Sequence, residues 1–246
     1  MDRLVYTAMT GANAAASRQA VLANNLSNVS TNGFRAQLAT YRAVPVQGEG
    51  ATTRVFALEA SAGYSDKPGP PVRTDNPLDA RATGNNWFTV QGLDGTEGYT
   101  RNGHFEVGAD GNLQTSNGLP VMSNGGAPIA VPPGAMLSIA IDGNISAKVG
   151  NQPSNNIGRL KIVTPTVDDP LRRGEDGLFR ANSGDPLNND DTARLEIGAL
   201  EGSNVNAIET MVGMIQSARQ FEAQTRLMQT AESNDRSASQ LLGMQG

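Results

Sequence analysis

The chain has no cysteine, one histidine and one tryptophan in 246 residues. Without cysteine, a disulfide framework, thiol chemistry and cysteine-ligated zinc are excluded. The single histidine, His104, follows the Asn102-Gly103 turn at the start of a strand-like run, where packing or solvation is its ordinary role. Aromatic residues make up only 4% of the chain, so any core is lean. Lysine is confined to Lys67, Lys148 and Lys161, no basic run occurs, and the net charge is −5. That balance offers no electrostatic footprint for nucleic acid or an anionic membrane. No stretch approaches the roughly 18 apolar residues of a membrane span, so direct membrane insertion is not expected. The opening Met1-Asp2-Arg3 leads into an amphipathic pattern and not into a basic start followed by an apolar run, so no cleaved secretory signal is expected.

What is abundant is turn chemistry, with 28 glycines and 13 prolines. The ends of the chain differ from its middle. Val5, Ala8, Ala12, Ala15, Gln19, Leu22, Leu26 and Val29 alternate in steps of three and four, which predicts a heptad-patterned helix over residues 2–29 with Asp2 as a cap. Its seam is mostly alanine and buries too little area to stand alone, so the helix needs a partner. The helix ends in an amide-rich stretch, Ala23–Arg35, containing Asn24, Asn25, Asn28 and Asn32-Gly33. That stretch is either an overbuilt helix stop or a set of amides bonded to another chain. At the other end Asn206 and Glu209 have capping-box spacing, and Ile208, Met211, Ile215, Ala218, Phe221 and Met228 read as one apolar stripe on a second helix over residues 204–242. The economical arrangement pairs the two ends as an antiparallel coiled coil.

Between the helices, residues 36–75 read as an extended connector with some strand, broken at Val44–Gly50, with a short strand possible over Thr53–Leu58 and a proline-rich loop at Lys67–Pro71. Residues 76–200 read as β. Asp94-Gly95, Asn102-Gly103, Asp110-Gly111, Asn117-Gly118, Asn124-Gly125 and Asp142-Gly143 punctuate short strand-like runs, including Trp87–Gln91, Leu119–Met122 and Leu137–Ile141. Such dipeptides suit type I′ hairpin turns. The expected organisation is therefore residues 1–35 (helix), 36–75 (connector), 76–200 (central β domain) and 201–246 (helix). The fold class is a mainly β central domain with N- and C-terminal α-helices.

Phosphate-binding, dinucleotide, zinc-protease and nucleophile-elbow signatures are all missing. The acidic pairs Asp168-Asp169 and Asp190-Asp191 lie in polar loops, where solvation is the ordinary reading. No catalytic, cofactor-binding or metal residue is assigned, and no enzyme activity or cofactor is expected.

Three separated motifs carry a resemblance. Met1–Ala12 with Ala23-Asn24-Asn25-Leu26-Ser27-Asn28 and Thr31-Asn32-Gly33-Phe34-Arg35 opens the chain; Asn76-Pro77-Leu78-Asp79, Trp87-Phe88-Thr89-Val90 and Tyr99–Phe105 through Asp110–Leu113 occupy the middle; Leu200–Asn206 and Ala218–Gln224 close it. In this order they resemble the bacterial flagellar basal-body rod and hook family over nearly the whole chain, most like its proximal-rod members, with the distal-rod members second. Gly84-Asn85-Asn86-Trp87-Phe88 departs from the family's usual run and suggests a different local turn. The resemblance implies a hook/rod D1-like β domain and a structural role in a self-assembling hollow drive shaft that transmits torque. It implies export through the flagellar type III apparatus to the periplasm-spanning rod, with copies of the chain and other rod proteins as partners. It also implies subunit packing through Val5, Ala8, Ala12, Ala15, Leu22, Asn24, Asn25, Leu26, Asn28, Gly33, Phe34, Ile208, Met211, Ile215, Ala218, Phe221 and Met228. A secreted β-rich carbohydrate-binding protein is the alternative from another class; it leaves both terminal helices without a purpose.

Overall fold

The computed structural model describes residues 3–45 and 55–243. The chain divides into two compact units, one of Met1–Val29, Ala36–Ser65 and Val205–Gly246, the other of Ser30–Arg35 and Asp66–Asn204.

The first unit is helical with one hairpin. Helix α1 spans Arg3–Ser27 and α2 spans Ala207–Gly243. The alanine content of α1 gives it high intrinsic helicity. Its heptad seam lies where the spacing predicts as far as Leu26: Ala8, Ala12 and Ala15 are buried, and Val5, Gln19, Leu22 and Leu26 are half-buried, whereas Val29, expected in the helix, lies in the turn that follows it. The expected cap Asp2 lies outside the described residues. Helix α2 begins at Asn206, whose Oδ1 accepts hydrogen bonds from the amides of Ile208 (3.1 Å) and Glu209 (3.3 Å). The helices pack on each other and run in opposite directions, since Gln224 lies against Gly11 and Leu22 against Gly213.

The covered side of α2 is not the stripe read from sequence. It follows a heptad line through Ala207, Thr210, Met214, Ser217, Phe221, Gln224, Met228 and Ala231, in which Thr210, Ser217 and Ala231 are buried and Phe221 keeps 41% of its surface. Of the expected stripe, Met228 and Ala218 are half-buried, whereas Ile208, Met211 and Ile215 face outward. The reason is helical geometry. Successive residues turn by about 100°, so each three-residue step falls about 60° short of a full circle. The steps from Ile215 to Ala218 to Phe221 are both of three, and the line of side chains winds away from the outer face.

Residues 36–75, expected as a connector, are instead largely structured. Strands β1 (Gln37–Pro45) and β2 (Val55–Tyr64) pair antiparallel from Gln37↔Tyr64 to Pro45↔Val55, with a bulge between Thr40 and Tyr41. The inward positions of β1 include Gln37, Ala39 and Tyr41, while Leu38 points outward. That alternation is too weakly apolar to register as a strand. Of the break expected over residues 44–50, Val44 and Pro45 instead continue β1, and the rest lies outside the described residues.

The second unit is β throughout. Its strands are β3 (Pro71–Arg73), β4 (Ala80–Ala82), β5 (Trp87–Gln91), β6 (Glu97–Thr100), β7 (Phe105–Val107), β8 (Leu113–Thr115), β9 (Ala135–Ile139), β10 (Asn144–Val149), β11 (Asn155–Arg159), β12 (Ile162–Val163), β13 (Leu171–Arg173), β14 (Phe179–Ala181), β15 (Leu195–Ile197) and β16 (Ala199–Glu201). A five-stranded sheet has the order β12-β5-β6-β14-β13 and a three-stranded sheet the order β11-β10-β9; β15 pairs with β4, β16 with β3 and β7 with β8, all antiparallel. Leu119–Met122, expected as a strand, contributes isolated bridges at Pro120, Val121 and Met122. The core gathers Phe88, Val90, Phe105, Leu113, Ile145, Leu160 and Ile162, with Phe88 and Phe105 in edge-to-face contact at 5.2 Å.

The turns are also built differently from the type I′ expectation. That type needs two residues at positive φ. Among the described residues Asp75 is the only non-glycine there, so in Asp94-Gly95, Asp110-Gly111 and Asp142-Gly143 only the glycine is left-handed. Each aspartate instead accepts a hydrogen bond from the amide two residues on, at Thr96, Asn112 and Asn144, and Asp176-Gly177-Leu178 repeats the device.

Candidate functional site

Inside the β unit three distant segments meet at one buried carboxylate. Glu201, at the end of β16, is 1% exposed. Its Oε1 pairs with Arg35 Nη2 at 2.7 Å and accepts from the Gly69 amide at 3.2 Å. Its Oε2 accepts from Arg101 Nε at 2.9 Å and pairs with Arg101 Nη2. Both guanidinium groups are themselves buried. Arg101 also donates to the carbonyls of Ala82 and Asn86, and Arg35 to those of Asp66 and Lys67. Trp87 lies beside both, with its ring centre 5.9 Å from Arg35 Cζ and 5.6 Å from Arg101 Cζ. Burial pulls the Arg101 guanidinium below its ordinary pKa and the Glu201 carboxylate opposes that shift.

Two positive charges against one negative are tolerable in a buried site only because carbonyls and an aromatic face complete the shell. The chain passes between the two units at residues 29/30, 35/36, 65/66 and 204/205. The Gly33 amide donates to the Glu201 carbonyl at 2.7 Å, the Asn204 amide to the Phe34 carbonyl at 3.3 Å, and Asn204 Nδ2 to the Lys67 carbonyl at 2.8 Å. Gly33 has φ of 71°, and a Cβ there would collide with the backbone of Arg101. Phe34 is buried, with Arg173 Cζ 4.6 Å from its ring centre.

The amides of the Ala23–Arg35 stretch separate by role. Asn25, buried in the helical unit, pairs with the backbone of Gln37 in both directions: Nδ2 donates to the carbonyl (2.9 Å) and Oδ1 accepts from the amide (2.8 Å). Its side chain therefore behaves as one more rung on the edge of β1, within the same chain. Asn28 Nδ2 donates to the Asn24 carbonyl at 2.8 Å and closes the last turn of the helix. The Asn24 side chain is exposed.

Other sequence-level expectations also divide. Ala8, Ala12, Ala15, Asn25, Gly33 and Phe34, expected at subunit contacts, are covered within this chain. Ile208, Met211 and Ile215 are not: they retain 76%, 50% and 55% of their surface, and Val212 beside them 48%. His104 Nδ1 lies 2.6 Å from the buried Asp79 carboxylate, an arrangement that ties two segments of the β unit. Asp169 accepts from Ser183 and Asp190 from Thr164 and Thr192, which hold both carboxyls below the usual range. Among the described residues no cluster of acidic or histidine side chains could hold a metal ion, and no helix is long and apolar enough to cross a membrane.

Sequence reasoning quoted Arg35, Arg101 and Glu201 inside three separate motifs without joining them. The signal was there in one form. Each is a lone charge in a run otherwise made of small, apolar or amide residues, and such a charge needs a partner if buried.

Family comparisons agree with this layout. Residues 5–35 match the family described as flagella basal body rod protein, 82–147 the flagellar hook protein FlgE/F/G D1 domain, and 197–241 the flagellar basal body rod FlgEFG protein C-terminal region. The flagellar basal-body rod protein FlgF of Escherichia coli K12 is 46% identical over 99% of this chain and 100% of its own length. The chain belongs to the FlgF family of flagellar basal-body rod proteins. The FlgF protein of Salmonella typhimurium LT2 is 44% identical over the same shares, whereas a FlgG rod protein of Buchnera aphidicola subsp. Schizaphis graminum is 30% identical over 96% of this chain and 98% of its own. That difference favours the proximal-rod over the distal-rod assignment. The chain is a structural subunit of the flagellar rod, and the matched segments carry Arg35, Arg101 and Glu201.

Proposed function

We propose that copies of this chain, with other flagellar rod proteins, assemble into a hollow helical shaft that transmits torque from motor to hook. Its helices form an antiparallel coiled-coil-like terminal domain through which subunits join, and its D1-like β unit is the load-bearing body. The subunit is exported by the flagellar type III apparatus without a cleaved signal, works in the periplasm-spanning rod and catalyses no reaction.

The observation that carries this reading is the outward ridge of α2. Ile208, Met211, Val212 and Ile215 stand open although the seam on the other side of the same helix buries Thr210 and Ser217. A helix that presents its bulky apolar side chains to solvent and its small polar ones to its own partner is arranged for a further contact. The clamp at Glu201 supports the mechanical part, because it ties three distant segments of the β unit to one carboxylate. The test is a strain deleted for this chain and complemented with the Ile208→Asp/Ile215→Asp variant. Loss of motility, with monomer unfolding temperature unchanged, supports the reading; full motility overturns it.

A further inference from the structure

The turn dipeptides of this chain also carry latent covalent chemistry. Where glycine follows asparagine, no side chain shields the glycine nitrogen, and that nitrogen can attack the asparagine Cγ. Attack needs two freedoms. The glycine N–H must not be committed to an acceptor, and the side-chain amide must be free to turn its carbon toward the nitrogen. The chain has four Asn-Gly dipeptides, at Asn32, Asn102, Asn117 and Asn124. At the first, the buried Gly33 donates its amide to the Glu201 carbonyl at 2.7 Å. At the second, both ends of the side chain are held: Asn102 Oδ1 accepts from the His104 amide at 3.2 Å and Nδ2 donates to Ser116 Oγ at 3.1 Å, beside a buried Gly103. At the third, the Gly118 amide donates to the Thr115 carbonyl at 2.8 Å. The Asp-Gly turns are locked in the same manner, with Gly95 donating to Gly92, Gly111 to Gly108, Gly143 to Ala140 and Gly177 to Gly174. In each of these turns the Asn or Asp is the third residue and the glycine the fourth, so the glycine amide is the one that closes the turn.

Asn124-Gly125 is out of that frame by one residue. A second glycine follows, and Gly126 takes the left-handed position, with φ of 79°. The closing bond therefore runs from the Gly126 amide to the Ser123 carbonyl at 2.9 Å, and Asn124 and Gly125 become the second and third residues of the turn. Both are exposed, and neither the Gly125 amide nor the Asn124 side chain forms a hydrogen bond among the described residues. The ends of the turn are fixed meanwhile, since the Ser123 amide donates to the Ala127 carbonyl at 2.8 Å and the Asn124 amide to the Arg159 carbonyl at 3.0 Å. We infer that Asn124-Gly125 is a modification site of the β unit, converting without an enzyme to aspartyl and isoaspartyl forms. The Gly125 nitrogen gives its proton to base and bonds to Asn124 Cγ; the bond from Cγ to Nδ2 breaks, and ammonia leaves with a proton. Water then opens the five-membered imide at either carbonyl carbon, which leaves a carboxylate at position 124 on the normal backbone or on one lengthened by a methylene. Either product adds one negative charge to a turn that is bonded to Arg159 and bridged to Leu160. Ammonia is lost for good, so the converted fraction records the age of the folded subunit.

The site needs no second molecule, so it stands whether or not the chain assembles. The test follows the full purified chain through incubation at mildly alkaline pH, with conversion at the four asparagines quantified by tandem mass spectrometry and isoaspartate labelled with an isoaspartyl methyltransferase. A locked site must first open, at the cost of the hydrogen bonds that hold it. The expected result is conversion at Asn124 about tenfold or more above that at Asn32, Asn102 or Asn117, with isoaspartate at position 124. The same chain unfolded in concentrated urea should convert all four to similar extents, because only the shared dipeptide then matters. Negligible conversion at Asn124 in the folded chain overturns the assignment. Equal or faster conversion at Asn117 also overturns it, since that site is as exposed and differs in its turn frame. An unfolded chain that keeps the preference for Asn124 overturns it as well, because local sequence and not the fold would then select the site.

Discussion

In the β unit Phe88, Leu113, Ile145 and Val163 show no measurable surface, while in the helical unit Ile208 keeps 76% of its own. The β unit closes around its large side chains and buries even its charges, as at Glu201. The helical unit encloses alanines and small polar residues, leaves the buried Ser217 hydroxyl without a hydrogen-bond partner among the described residues, and turns larger apolar groups outward. Stability therefore resides in different places. The β unit is finished by its own chain. The helical unit has an apolar face at Ile208, Met211, Val212 and Ile215 that the described residues of its own chain leave uncovered.

The largest expected effect is on the finished unit. Replacing Glu201 with Ala strands two buried guanidinium groups, and such an uncompensated pair costs about 3–5 kcal/mol. Calorimetry should show the β transition falling steeply; a loss below about 1 kcal/mol would mean the clamp is not buried in solution. Next comes Asn25→Ala in the helical unit. It removes both bonds to the Gln37 backbone and should cost about 1–3 kcal/mol, seen as faster amide exchange along β1. Exchange unchanged from the native protein would contradict the rung-like role of Asn25.

Acid separates the two units further. Hydrogen bonds from Thr96 to Asp94, from Asn112 to Asp110 and from Asn144 to Asp142, and from Arg180 to Asp176, hold these carboxyls below their ordinary pKa. A depressed folded-state pKa gives stability that is complete above the unfolded value, about 4, and disappears as pH falls through the folded value. The β transition should therefore drop between about pH 5 and pH 2, and a flat profile would deny these loops a role. The smallest effect on the isolated subunit belongs to Ile215→Ser, expected within about 0.5 kcal/mol of native. The same change should impair motility severely, which separates folding from assembly.

Legibility in the sequence followed the range of the interactions. The α1 seam was readable because its steps alternate strictly between three and four. The α2 stripe was not, because two consecutive three-residue steps carried it across the helix. The Asp-Gly turns were found at the right places, but their geometry depends on a side chain bonding two residues on, which the dipeptide alone does not reveal. Strand β1 escaped notice because Gln37 and Ala39 occupy its inward positions. The clamp was invisible as a unit, since Arg35, Arg101 and Glu201 are joined only by the folded sheets.

That clamp also sets a schedule. Arg35 and Arg101 are made early in synthesis and Glu201 near its end, so their charges stay in water until most of the chain exists. Contacts of such long sequence separation form late and slowly. A chain cut before residue 201 should not close its β unit at all. The final fifth of the sequence thus decides when a pliable polypeptide becomes a stiff part.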